Sequence, residues 1–128
     1  MRISSVLVVD DEPDIRALCK LSLERVGGWL TFLAASGQEA LELAEARQPD
    51  VILLDVMMPG MDGPTTLHAL KNRGSTAGIH VVFLSAKIQK HEMQGYKDLG
   101  AAGVITKPFN PMTLPRELQR TIDAELAL

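Results

Sequence analysis

Val51-Ile52-Leu53-Leu54-Asp55 is an unbroken apolar run closed by a carboxylate. A strand with one face in water alternates apolar and polar residues, so a run without alternation suits a strand covered on both faces. The pattern recurs along the chain. Val6-Leu7-Val8-Val9 ends in Asp10-Asp11, His80-Val81-Val82-Phe83-Leu84 ends in Ser85, and Gly103-Val104-Ile105-Thr106 ends in Lys107-Pro108. Leu30-Thr31-Phe32-Leu33-Ala34 reads as a fifth strand, with no such polar group at its end.

Helical patterns separate these runs. Pro13 suits a first helical turn, and Ile15, Leu18, Cys19, Ser22 and Val26 follow it on one stripe until Gly27-Gly28. Ser36 and Glu39 form a capping box before Ala40, Leu41 and Ala44, and this helix stops before Pro49. Pro64 opens a third helix with Leu67 and Leu70, closed near Gly74. Ile88 to Leu99 reads as a fourth, ending at Gly100 and weakened by Gly95. Leu114, Leu118, Ile122 and Leu126 give the stripe of a fifth. Five βα repeats predict an α/β fold: a doubly wound, five-stranded parallel sheet with right-handed crossovers and helices on both faces.

The chain has 128 residues, 46% hydrophobic and 23% charged, which argues for one globular domain over 1–128 and against disorder. A net charge of −3 gives no overall electrostatic footprint for direct binding of nucleic acid. One cysteine excludes an internal disulfide and suits a reducing compartment. No apolar run approaches the roughly 20 residues that cross a bilayer. A cytoplasmic domain without membrane contact is expected. The chain also ends with its last helix, so no separate output domain is expected within it.

In open α/β sheets, ligands bind at the carboxyl ends of strands where the strand order reverses. If the order is 2-1-3-4-5, the reversal lies between strands 1 and 3, and Asp10, Asp11 and Asp55 would converge there, with Ser85 and Lys107 alongside. Three neighbouring carboxylates repel unless they take up protons or share a cation. Hard oxygen donors favour Mg²⁺, Mn²⁺ or Ca²⁺ over zinc, and Mg²⁺, with Mn²⁺ as its substitute, is the expected ion. A carboxylate nucleophile, a metal, a lysine and a hydroxyl together point to phosphoryl transfer onto an aspartate.

The residues that carry this chemistry resemble the response-regulator receiver domain of two-component signalling, the CheY-like branch of the flavodoxin-type folds. The resemblance rests on Val8-Val9-Asp10-Asp11-Glu12-Pro13, on Leu54-Asp55-Val56-Met57-Met58-Pro59-Gly60-Met61-Asp62-Gly63, on Ser85-Ala86 and on Lys107-Pro108-Phe109. It implies Asp55 as phosphoacceptor and Ser85 as the hydroxyl that turns toward the phosphoryl group. Lys107 would pair with a phosphoryl oxygen. Asp10, Asp11, Asp55 and the backbone carbonyl of Met57 would be metal ligands. It also implies a cis bond before Pro108, a tight loop at Gly60 and Gly63, and Met57 and Lys87 as neighbours that tune the acyl phosphate's lifetime. A sensor histidine kinase or histidine phosphotransfer protein would be the donor, an unidentified downstream protein the receiver of the signal, and the chain a monomer or weak phosphorylation-dependent dimer. Val104 departs from the family pattern, which places Tyr or Phe three residues before the lysine.

Other readings compete. A Mg²⁺-dependent phosphohydrolase with an aspartate nucleophile often carries a second Asp two places on, where this chain has Met57. A flavodoxin-like cofactor binder would need a phosphate loop after the first strand, where Asp10-Asp11-Glu12 stands instead. A degenerate receiver acting as an interaction scaffold would have lost at least one of these groups. Cys19 is expected in the core, and Trp29 and Phe32 are expected to pack beside strand 2. His68, His80 and His91 show no ligand spacing, Tyr96 is expected to be partly buried, and the six methionines suggest adaptable packing.

Overall fold

The structure is a computed structural model that describes residues 1–86 and 90–127. Its elements run β1 Ser5–Val9, α1 Pro13–Leu21, β2 Leu30–Ala34, α2 Gly37–Arg47, β3 Val51–Asp55, α3 Gly63–Lys71, β4 His80–Ser85, α4 Lys90–Asp98, β5 Gly103–Thr106 and α5 Leu114–Leu126. The sheet order is β2-β1-β3-β4-β5, and every strand pair is parallel. This is the doubly wound architecture that the apolar runs predict.

Side chains alternate across a pleated strand, so an apolar run feeds two cores at once. Leu7, Val9, Ile52, Leu54, Val81 and Phe83 face α2 and α3 through Ala40, Leu41, Ala44, Leu67 and Leu70. Val6, Val8, Val51, Leu53, Val82, Leu84 and Ile105 face α1 and α5 through Cys19, Leu114, Leu118 and Ile122. β1 and β3 are covered on both sides. At the edge, β2 is not: Leu30 is exposed, and Phe32 and Leu33 are half-buried.

Two stripes differ from their sequence reading. α1 continues into a π-helical turn, Ser22–Val26, closed by a bond from the Gly27 N–H to the Ser22 carbonyl at 3.2 Å. The wider turn rotates the face, so Leu23 enters the core and Val26 lies exposed, with Leu18 also at the surface. The Ser22 hydroxyl donates to the Pro111 carbonyl, which ties this turn to the start of α5. Along α5, Leu114, Leu118 and Ile122 are fully buried, whereas Leu126, the last residue of the helix, is exposed. Ile88, read as the start of the fourth helix, lies outside the described residues.

Local signals elsewhere read true. Ser36 caps α2 by accepting from the Glu39 N–H at 3.2 Å, and the Glu39 carboxylate reaches back to the Ala35 N–H at 3.1 Å. Asp62 caps α3 through the Thr65 N–H at 2.9 Å. Gly60 takes a positive φ of 72° in the loop between β3 and α3. Gly63 is needed for closeness: a Cβ there would stand 2.5 Å from the Asp55 carbonyl oxygen and 3.1 Å from the Phe83 ring. Gly95, inside α4, would meet nothing within 4 Å. Gly63→Ala is therefore expected to destabilise the fold by about 1–3 kcal/mol through overpacking against backbone. Gly95→Ala should stabilise it by up to about 1 kcal/mol. Thermal melts of the two variants check the opposite signs.

Candidate functional site

The carboxyl ends of the strands bring the polar residues together. Asp10 follows β1 and extends its ladder, with its N–H donating to the Ala34 carbonyl at 3.1 Å. Its side chain is fully buried. One carboxylate oxygen accepts from the Glu12 N–H at 2.9 Å, and Arg16 reaches back to the Asp10 carbonyl at 2.8 Å. Asp55 closes β3, is 4% exposed, and accepts from the Met57 N–H at 3.4 Å. Asp11 stands exposed at the rim. One carboxylate oxygen from each of Asp10, Asp11 and Asp55 lies within 4.8 Å of the other two.

Lys107 enters from beyond β5. Its N–H donates to the Ser85 carbonyl at 2.7 Å, which carries the β4–β5 pairing one residue further. The Lys107–Pro108 bond is cis, as the resemblance implied. The ammonium stands 2.9 Å from Asp10 Oδ2 and 3.3 Å from Asp55 Oδ1, so one cation bridges both buried carboxylates. Arg16 is the contact the sequence reading missed. Its position one turn into a helix that starts just past the acidic pair was the available signal.

The charges shape one another. Burial, and next the charge of Asp10, push the Asp55 carboxyl up from 3.8 to about 6, against the pull of Lys107. Burial works against the Lys107 ammonium, but the Asp10 hydrogen bond and the charges of Asp10 and Asp55 hold it above its ordinary value. Burial, with Asp10 adding to it, also raises the Cys19 thiol to about 12, so this core cysteine stays protonated and inert. Three oxygen donors at this spacing, two of them buried, suit a hard divalent cation.

Ser85 is the buried last residue of β4. Strand alternation sets it on the side of Phe83, facing α3, whereas Asp55 shares the side of Leu53, facing α1 and α5. Met57 exposes 78% of its surface beside the pocket. Lys87 lies outside the described residues. Val104 is half-buried and pairs in register with Phe83, and the Tyr96 ring of α4 packs there with its centroid 4.9 Å from that of Phe83. Among the described residues no histidine joins a group able to hold a metal ion, and His68 instead contacts the Asn72 amide at 3.2 Å. The His91 side chain lies outside the described residues.

Comparison with known proteins follows the same lines. The alkaline phosphatase synthesis transcriptional regulatory protein PhoP of Bacillus subtilis is 37% identical over 121 residues, which are 94% of this chain and 48% of that protein. Sporulation initiation phosphotransferase F of the same organism is 36% identical over 105 residues, 82% of each chain. The chain thus spans about half the length of the transcriptional regulators it matches, and most of the phosphotransferase. Among solved structures, the Vibrio cholerae chemotaxis protein CheY4 superposes with a TM-score of 0.86 at 35% identity, covering 93% of this chain and 98% of that one. The sequence profile of the response regulator receiver domain matches residues 6–119, and on that match and this sheet order the chain belongs to the response regulator receiver domain family.

Proposed function

We propose that Asp55 accepts a phosphoryl group from a histidine kinase or histidine phosphotransfer protein and that the acyl phosphate shifts the domain toward a partner-binding state. The observation that carries this reading is the ammonium of Lys107 set between two buried carboxylates, at 2.9 and 3.3 Å. The ionised Asp55 oxygen attacks phosphorus. A P–O bond forms as the donor's P–N bond breaks, and the electron pair returns to the donor imidazole. Lys107 offers its charge to a phosphoryl oxygen next to Asp55. Ser85, at the end of the neighbouring strand, supplies a hydroxyl donor once it turns toward the group.

Asp10, Asp11 and Asp55, with the Met57 carbonyl, would hold Mg²⁺, or Mn²⁺ in its place. When bound, that ion neutralises charge on the transferring phosphoryl group. Donor docking is supported by a cavity of about 440 Å³ beside Lys107, walled by Ile15, Leu18 and Phe109. Its apolar wall suits the side of a partner helix. Among the described residues no helix is long and apolar enough to cross a membrane, and the reading assigns the chain to the cytoplasm.

Phosphorylation replaces one negative charge with about two and adds strong acceptor oxygens. Bonds from Lys107 and Ser85 to those oxygens would contribute a coupling of about 1–3 kcal/mol, a change of roughly 5–150-fold in partner affinity. Val104 leaves no switch aromatic on β5, so the switch is muted or uses other groups, among which Phe83 with Tyr96 is the ring contact toward α4.

Three outcomes test the reading. Acetyl phosphate with Mg²⁺ should add one phosphoryl mass to the intact chain, and Asp55→Asn should abolish the adduct; an adduct that survives the substitution overturns the assignment. Substituting Met57 should change the rate of dephosphorylation more than the affinity for Mg²⁺, measured by adduct decay and by metal titration. The third outcome concerns pH. Because the folded-state value of Asp55 lies above 3.8, the unfolded chain loses this proton first, and stability falls as pH rises from 3.8 through about 6. In EDTA, Asp55→Asn should therefore melt a few degrees above the parent at pH 7.5, and the gap should narrow at pH 5.

A further inference from the structure

At the opposite end of the strands, the residues that precede β1 and β2 meet α5 around an open cavity of about 930 Å³. That size lies in the range of small-molecule clefts, roughly 300–1,000 Å³. Three of the chain's arginines line it: Arg2, Arg116 and Arg120. Arg116 and Arg120 are one turn apart on α5 and share a face. Gln119 holds Arg2 near them. Its amide nitrogen donates to the Met1 carbonyl at 2.8 Å, and its amide oxygen accepts from the Ile3 N–H at 3.0 Å.

Among the described residues, Arg2, Arg116 and Arg120 make no ion pair and no side-chain hydrogen bond. Asp123 is the one carboxylate lining the cavity, and it accepts from the Gln119 amide at 2.9 Å. Three planar forks gathered in one concave place on an otherwise acidic chain suit a compact polyanion, and the fork geometry suits phosphate. The cavity also has an aromatic wall. Trp29 is half-buried there, and Gly27 lets its turn close on Pro115, where a Cβ would stand 3.1 Å from the proline ring. An indole beside a phosphate cradle is a stacking surface for a nucleobase.

We propose that this cavity binds a free nucleoside di- or triphosphate, with the base on Trp29 and the phosphates among Arg2, Arg116 and Arg120. The site is separate from the phosphoacceptor pocket and does not depend on that reading.

Trp29 is the chain's sole tryptophan, so its emission reports the site directly. The experiment titrates the metal-free protein in EDTA, where the acidic pocket repels anions. ADP should give a saturable change in emission with a Kd below about 1 mM. Inorganic pyrophosphate should displace it, and adenosine alone should give no saturable change. Arg116→Gln and Arg120→Gln, both at exposed positions, should each weaken ADP about tenfold through loss of a charge-assisted bond, while Asp55→Asn leaves the titration unaltered. The proposal is overturned by no saturable change up to about 10 mM ADP. A response that survives both arginine substitutions, or a polyglutamate peptide that binds more tightly than ADP, also overturns it.

Discussion

A single ammonium group between two buried carboxylates is the constraint on which the rest of this molecule turns. Asp10 and Asp55 are brought together by adjacent strands, and without Lys107 their repulsion would work against the packing of β1 beside β3. Lys107 offsets that repulsion only in part, because burial and Asp10 still push the Asp55 carboxyl up. The pocket keeps a surplus of negative charge at its mouth, where Asp11 adds a third carboxylate. A site left this way favours whatever delivers positive charge and takes the nucleophile's electrons. A phosphoryl group accompanied by a divalent cation does both.

Much of this was legible because the fold and the chemistry leave signals of the same length. A buried parallel strand is a short apolar run, and its polar terminator is the next position, so one pattern revealed both Val51–Leu54 and Asp55. The five strands, the cap at Ser36 and the core position of Cys19 follow from such local marks, whereas the strand order, and with it the convergence of Asp10, Asp55 and Lys107, rested on the family resemblance. Features set by distant contacts stayed hidden. The π-helical turn at Ser22–Val26 is stabilised by Pro111 and by close approach to Pro115, which lie far along the chain. A regular helical stripe therefore placed Val26 where Leu23 belongs. The arginine cavity was hidden for the same reason, since its walls come from the first residues, the β2 approach and α5.

The two faces of the sheet divide the labour. Asp55, by strand alternation, lies on the α1 and α5 side, and so does Lys107 by continuation from Ile105. Ser85 lies on the other side with Phe83, against which Tyr96 packs. Chemistry at the switch point is thus joined, through the end of β4, to an aromatic contact with α4. On β5 this chain has Val104 in register with Phe83, and the ring that packs on Phe83 comes from α4.

The double core has a consequence for how such a chain can change length. Each central strand feeds alternate side chains to opposite layers, so adding or deleting one residue within β3 would exchange the two sets. It would trade the layers into which Ile52 and Leu53 point and swing the terminal carboxylate away from its lysine. Insertions in the connecting segments carry no such reversal. Loops at the end of the strands away from the acidic pocket can lengthen without this reversal, while the count of residues in each inner strand is held fixed by parity.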